Sequence, residues 1–168
     1  MTKPTNRCLV ASATVLFFGG SAFAADPPST AEVLGKLHHA DQSELTMGKL
    51  AEKDGQSKQV KEFGKMLVKD HTGAEKKVSV LAKAEQIDLG NAGAMGMVEP
   101  SPGPDFDAKF AQMMVGAHKK DIAALTKARD STADEKLKKL LTELLPTLQK
   151  HEDTAQKILD GQAEKPHA

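Results

Sequence analysis

Tryptophan and tyrosine are absent from this chain of 168 residues, and Cys8 is its only thiol. Without indole or phenol rings there is no ready platform on which bases or sugars could stack, which argues against single-stranded nucleic-acid and carbohydrate binding. One cysteine cannot close a disulfide within the chain, so neither a disulfide scaffold nor a thiolate metal cage is available. An excess of charge of either sign is missing too. Lys and Arg number 23, and so do Asp and Glu, so no basic field exists to recruit nucleic acid. Long hydrophobic runs are also lacking: the most apolar stretch, through Val15-Leu16-Phe17-Phe18, is cut short by Gly19-Gly20-Ser21 and is too short to span a bilayer comfortably.

That stretch has the make-up of an export signal. Lys3 and Arg7 precede it, and Ala22-Phe23-Ala24 follows as a small-x-small cleavage site. Residues 1–24 are therefore read as a signal peptide and the protein as periplasmic or otherwise exported. Cys8 lies inside the signal and not at its end, so it is not placed for lipid attachment. Cleavage near Ala24 removes two basic residues, no acidic ones and the only thiol, and leaves Phe63, Phe106 and Phe110 as the aromatic side chains besides histidine. What remains has the length of one domain, read as residues 25–161 with a disordered tail at 162–168.

Apolar residues recur at helical spacing in four blocks. Pro27-Pro28 precedes Ser29-Thr30-Ala31-Glu32, which fits a capping box, and Leu34, Leu37, Asp41, Glu44, Leu45 and Gly48 follow at intervals of three and four. Asp54-Gly55 predicts a stop, with the glycine in the left-handed conformation. Ser57 is the expected cap of a second helix with Val60, Phe63, Leu67, His71, Ala74, Val78 and Leu81 on one stripe. After Ile87 the pattern dissolves into glycine and proline up to Pro104, which predicts a long crossover. Asp105 is the expected cap of a third helix carrying Phe106, Phe110, Met114, Ile122 and Leu125. Ser131 and Asp134 suggest another capping box before Leu137, Leu141, Leu144, Leu148, His151, Ala155 and Ile158. Pro146 predicts a kink in that last helix, and Gly161 its end. The fold class is all-α: an antiparallel four-helix bundle with a long crossover between helices 2 and 3.

Chemistry enters through one repeated pattern. Phe-x-x-Met-[Leu/Met]-Val-x-x-His occurs at Phe63–His71 and again at Phe110–His118, and His151 lies in the leucine stripe of the fourth helix. Each of three successive helices thus carries one imidazole on its apolar face. His38 and His39 are adjacent and diverge by about 100° on a helix, so at least one is expected in solvent. The segments Glu44–Ala51, Met66-Leu67-Val68-x-Asp70-His71, Phe106-Asp107 with Met114-Val115-x-x-His118, and Leu145-Pro146-Thr147-Leu148-x-x-His151 stand in order. Together they resemble the exported bacterial family catalogued as domain of unknown function 4142, of the ferritin-like group. The resemblance covers nearly the whole mature chain and implies fold and compartment; it brings no activity with it.

A ferritin-type di-iron centre needs Glu-x-x-His on two helices. Val68, Val115 and Leu148 stand three residues before the histidines instead, and the one literal match, Glu164–His167, lies in the tail. Di-iron oxidase activity is disfavoured, and no serine elbow, phosphate-cradling glycine loop or cysteine nucleophile suggests another reaction. Two readings of the imidazoles stand. In the first they form a hydrogen-bonded polar layer without any cofactor, inside a non-catalytic bundle with a structural or interaction role in the cell envelope, through self-association or an unknown protein partner. In the second, His71, His118 and His151, with Glu44 from the first helix, hold zinc or copper, and Glu75 and Asp121 act as second-shell acceptors that orient the rings. Met95 and Met97 in the crossover form a Met-x-Met pair of the soft kind that suits copper(I).

Overall fold

A computed structural model describes residues 27–90 and 99–163; the signal region, the Met95–Met97 pair and most of the tail lie outside them. The described chain folds into α1 (Thr30–Asp54), α2 (Lys58–Ala84), α3 (Phe106–Ser131) and α4 (Glu135–Ala163), and no strand occurs among the described residues. Three-residue turns make hairpins of α1 with α2 and of α3 with α4, and within each hairpin the packing is closest.

Two apolar clusters show how the hairpins meet. One contains Leu34 and Leu37 from the start of α1, Val78 and Ala82 from the end of α2, Leu125 from the end of α3 and Leu137 from the start of α4. The other collects the opposite ends through Met47, Phe63, Phe106, Phe110 and Ala155. Hence α3 runs antiparallel to α1 and α4 to α2, and the end of α2 and the start of α3 lie at opposite ends of the bundle. The all-α four-helix bundle expected from the periodicity is what forms.

Several helix ends differ from expectation for clear local reasons. Ser29 and Ser57 do cap, accepting from the amides of Glu32 and Val60 at 3.2 Å each. Gly55 is not left-handed (φ −55°). Glycine is needed there because a Cβ would stand 2.5 Å from the Ala51 carbonyl oxygen. Asp105 makes no side-chain cap bond. Asp107, two residues later and buried, reaches instead to the α1–α2 turn, accepting from the amides of Gln56 and Ser57 at 2.8 Å each. Ser131 belongs to α3, and the cap of α4 is Asp134, which accepts from the amides of Lys136 and Leu137 and from the Thr30 hydroxyl. Helix α4 runs unbroken through the exposed Pro146 and past Gly161.

Candidate metal centre

Between the two apolar clusters lies a polar layer at mid-height. Buried His71 comes from α2, His118 from α3, His151 from α4, and Asp41 and Glu44 from α1. The stripes that bury the leucines and phenylalanines carry these residues inward with them, because i, i+3 and i+4 positions share one helix face. One ring nitrogen from each of the three histidines lies within 4.8 Å of the other two, and among the described residues they are the one trio of potential ligands so closely grouped.

Each imidazole is held by its other nitrogen. His71 Nδ1 lies 2.7 Å from Asp41 Oδ1, and His151 Nε2 lies 3.1 Å from Asp70 Oδ2. His118 Nδ1 lies 2.9 Å from the Met114 carbonyl oxygen. A carbonyl only accepts, so His118 carries its proton on Nδ1 and turns a lone pair from Nε2 toward His151 Nδ1, 3.3 Å away. Ring orientation by a carboxylate or a carbonyl behind the ring is the usual support of a metal-binding histidine.

Burial decides the charge state. Desolvation pushes the imidazoles of His71 and His151 down to about 4 and that of His118 to about 3, so all three are neutral at pH 7. Neutral His118 and His151 own two N–H protons between them. They face three acceptor contacts: the Met114 carbonyl, the Asp70 carboxylate and each other. With His118 bonded to Met114 and His151 to Asp70, two lone pairs confront one another across 3.3 Å. If the His151 proton moves to Nδ1, a lone pair confronts Asp70 instead. A proton or a cation shared at this contact would satisfy both at once.

The 3.3 Å separation is itself informative. Two nitrogens bound to one tetrahedral ion at about 2.05 Å stand about 3.3 Å apart. His118 and His151 therefore already have the spacing of two ligands on one ion, and His71 Nε2 is buried and without a hydrogen-bond partner.

Glu44 is placed beside this group, with Oε1 4.0 Å from His118 Nδ1 and Oε2 buried without a partner. Desolvation, with Asp121 and Asp41 adding to it, pushes its carboxyl up to about 8. Asp41 is likewise raised to about 8 by burial and by Glu75. Half-buried Asp121 is raised to about 6, again chiefly by desolvation. It acts on Glu44 from α3 and makes no hydrogen bond to His71, His118 or His151.

Glu75 takes a different place from the one its spacing suggested. Its Oε1 meets His38 Nδ1 at 2.8 Å and the Ser79 hydroxyl at 2.7 Å, because position 75 faces the start of α1 and not the bundle axis. Ring orientation falls to Asp41 and Asp70. Sequence reasoning noted both residues without giving either this task; their positions, three before Glu44 and one before His71, carry no signal until the helix register is known. His38 and His39 are both half-buried, so neither faces fully inward. Their divergence sends His38 to α2 and His39 to the seam with α3.

No helix among the described residues is long and apolar enough to cross a membrane. No curated protein and no solved structure matches the chain. A family model does, over residues 19–158, from the Gly-Ser segment before the first helix to Ile158 near the end of the fourth. The chain belongs to the family described as domain of unknown function (DUF4142).

Proposed function

We propose that this protein is an exported, non-catalytic helical bundle that binds one divalent ion of the zinc or copper class. His71 Nε2, His118 Nε2 and His151 Nδ1 would be its ligands, with Glu44 or a solvent molecule in the fourth position. The observation that carries this reading is the convergence of three buried imidazole nitrogens within 4.8 Å of one another, two of them 3.3 Å apart, a spacing at which one cation can be shared. Neutral imidazole suits zinc and copper among divalent ions. Asp41, the Met114 carbonyl and Asp70 supply the acceptors behind the three rings. The signal-like residues 1–24 support export, and nothing in the family description assigns a reaction.

The test is metal content. Protein isolated from its native compartment, without chelator or affinity resin, is expected to hold zinc or copper near one equivalent per chain. Chelator-treated protein should take up one cobalt(II) with the intense visible absorption of a tetrahedral site, and His118→Ala should abolish that spectrum. Uptake no tighter than millimolar, or an unchanged spectrum in His118→Ala, would leave the metal-free polar layer as the better account.

A further inference from the structure

Val80 on α2 is the one large apolar side chain among the described residues that stands in solvent, 70% exposed. Between Lys76 and Ala84 the same helix has three lysines and no acidic residue. Positions three and four apart are neighbours on a helix surface, so Lys76, Lys77 and Lys83 frame Val80 on its own helix. Across the seam, Lys136 and Lys139 of α4 line a shallow depression shared with Val80, whose apolar floor includes Leu81, Ala84 and Leu140. An exposed valine thus sits among lysines from two helices.

Two of these lysines hold the seam together. Lys77 meets Glu143 of α4 at 3.1 Å, and Lys136 meets Glu85 at the end of α2 at 2.6 Å. Lys76, Lys83 and Lys139 are exposed and make no ion pair among the described residues. Like charges gathered on one face repel one another, and an opposing surface of negative charge relieves that repulsion.

We propose that this face of α2 and α4 docks on an anionic lipid bilayer, with the lysines at the level of the phosphates and Val80 between them. Charge complementarity selects an anionic partner, and the form of the surface selects a bilayer over a protein. Protein hot spots are aromatic or arginine anchors seated in well-packed pockets. Here the depression is shallow, the apolar anchor is one valine, and every cation is a lysine. Lysine is a hydrated point charge on a flexible stem, without the planar fork that reads one particular carboxylate. Such side chains suit a surface whose phosphates are many and free to move sideways, and each lysine within a screening length of it adds to the attraction. None of these lysines bonds to an imidazole, so the inference stands whether or not an ion is bound.

The test is co-sedimentation of protein isolated from its native compartment with two kinds of vesicle. One is phosphatidylcholine alone, the other phosphatidylcholine mixed equally with phosphatidylglycerol. Affinity for the mixed vesicles is expected to be at least ten-fold higher. It should fall at least ten-fold as salt rises from about 0.01 M to about 0.15 M, which shortens the screening length from roughly 30 Å to about 8 Å. Lys76→Glu combined with Lys139→Glu should remove most of the binding, and Val80→Asp alone should weaken it several-fold. Lys53→Glu combined with Lys58→Glu, the same change of charge at the opposite end of the bundle, should leave most of it. Equal affinity for the two vesicles, or equal losses from the two lysine pairs, overturns the proposal. So does binding of soluble polyglutamate without binding of either vesicle, which would make the face a site for an acidic protein. The comparison of vesicles with the unaltered chain decides even where a variant fails to fold.

Discussion

His151 is the residue on which the proposed centre turns, because both of its nitrogens face groups that call for the same proton. Asp70 is its outer partner at 3.1 Å, and His118 its inner one at 3.3 Å. Asp70→Asn removes the negative charge that raises the basicity of the ring, while keeping a side chain of the same shape. Zinc affinity is expected to fall by roughly 10- to 100-fold. Fold stability without metal should change little, because the Asp70 side chain is 23% exposed and an amide oxygen can still accept. Zinc titration and chemical denaturation of the same sample check the two halves. A large loss of stability with unaltered zinc affinity would mean that Asp70 serves the fold and not the centre. An Asp directly before a histidine is visible in the sequence. That it lies behind the ring of His151, on another helix, follows only from how α2 and α4 are staggered.

Among the helices, the legible features were those that chemistry places locally: apolar stripes, serine caps, and the glycine- and proline-rich crossover. Less legible were the features that exist only between helices. The α1–α2 hairpin is drawn together at Gly48 and Gly64. A Cβ on Gly64 would meet the Gly48 carbonyl oxygen at 2.6 Å and the Glu52 amide nitrogen at 2.9 Å, both backbone atoms that cannot swing aside. Gly64→Ala should therefore destabilise by roughly 1–3 kcal/mol, in spite of the about 1 kcal/mol by which alanine is the better helix former. Gly73→Ala in the same helix meets nothing within 4 Å and should stabilise by about 0.5–1 kcal/mol. Denaturant midpoints of the two variants are expected to move in opposite directions, and a shift of the same sign would contradict the close crossing. Asp107 is a second such feature. It binds two amides of the α1–α2 turn from α3, so it fastens one hairpin to the other. Asp107→Ala should cost roughly 2–4 kcal/mol through two lost charge-assisted bonds, far more than Asp105→Ala, whose side chain makes no cap bond. Equal losses for the two variants would refute that role.

For the molecule as a whole, the polar layer sets how stability depends on pH, and the sign follows from who holds the protons. Burial lowers the three imidazoles from 6.5 to about 4, 3 and 4. Their contribution is complete above pH 6.5, where the unfolded chain also leaves them neutral, and is lost as pH falls toward 4. Burial raises Asp41 from 3.8 and Glu44 from 4.5 to about 8. Their contribution is complete below pH 4 and is lost as pH climbs through 8. Between about 4.5 and 6.5 the two trends oppose each other, as the folded chain keeps protons on carboxyls while the unfolded chain keeps them on imidazoles. Above 6.5 the imidazoles fall silent and the carboxyls alone remain. The metal-free protein should therefore lose stability between pH 6.5 and 8.5, by roughly 2 kcal/mol for each of the two carboxyls. A bound divalent ion reverses this slope, because it takes over the positive charge that the carboxyl protons otherwise supply, and its own affinity rises as those protons leave. Urea midpoints of chelator-treated and zinc-loaded protein at pH 6.5 and 8.5 give four numbers that should cross in this way. A metal-free midpoint that climbs over this interval would mean that Asp41 and Glu44 are already ionised in the folded state, and the donor they lack would then have to be present within the chain.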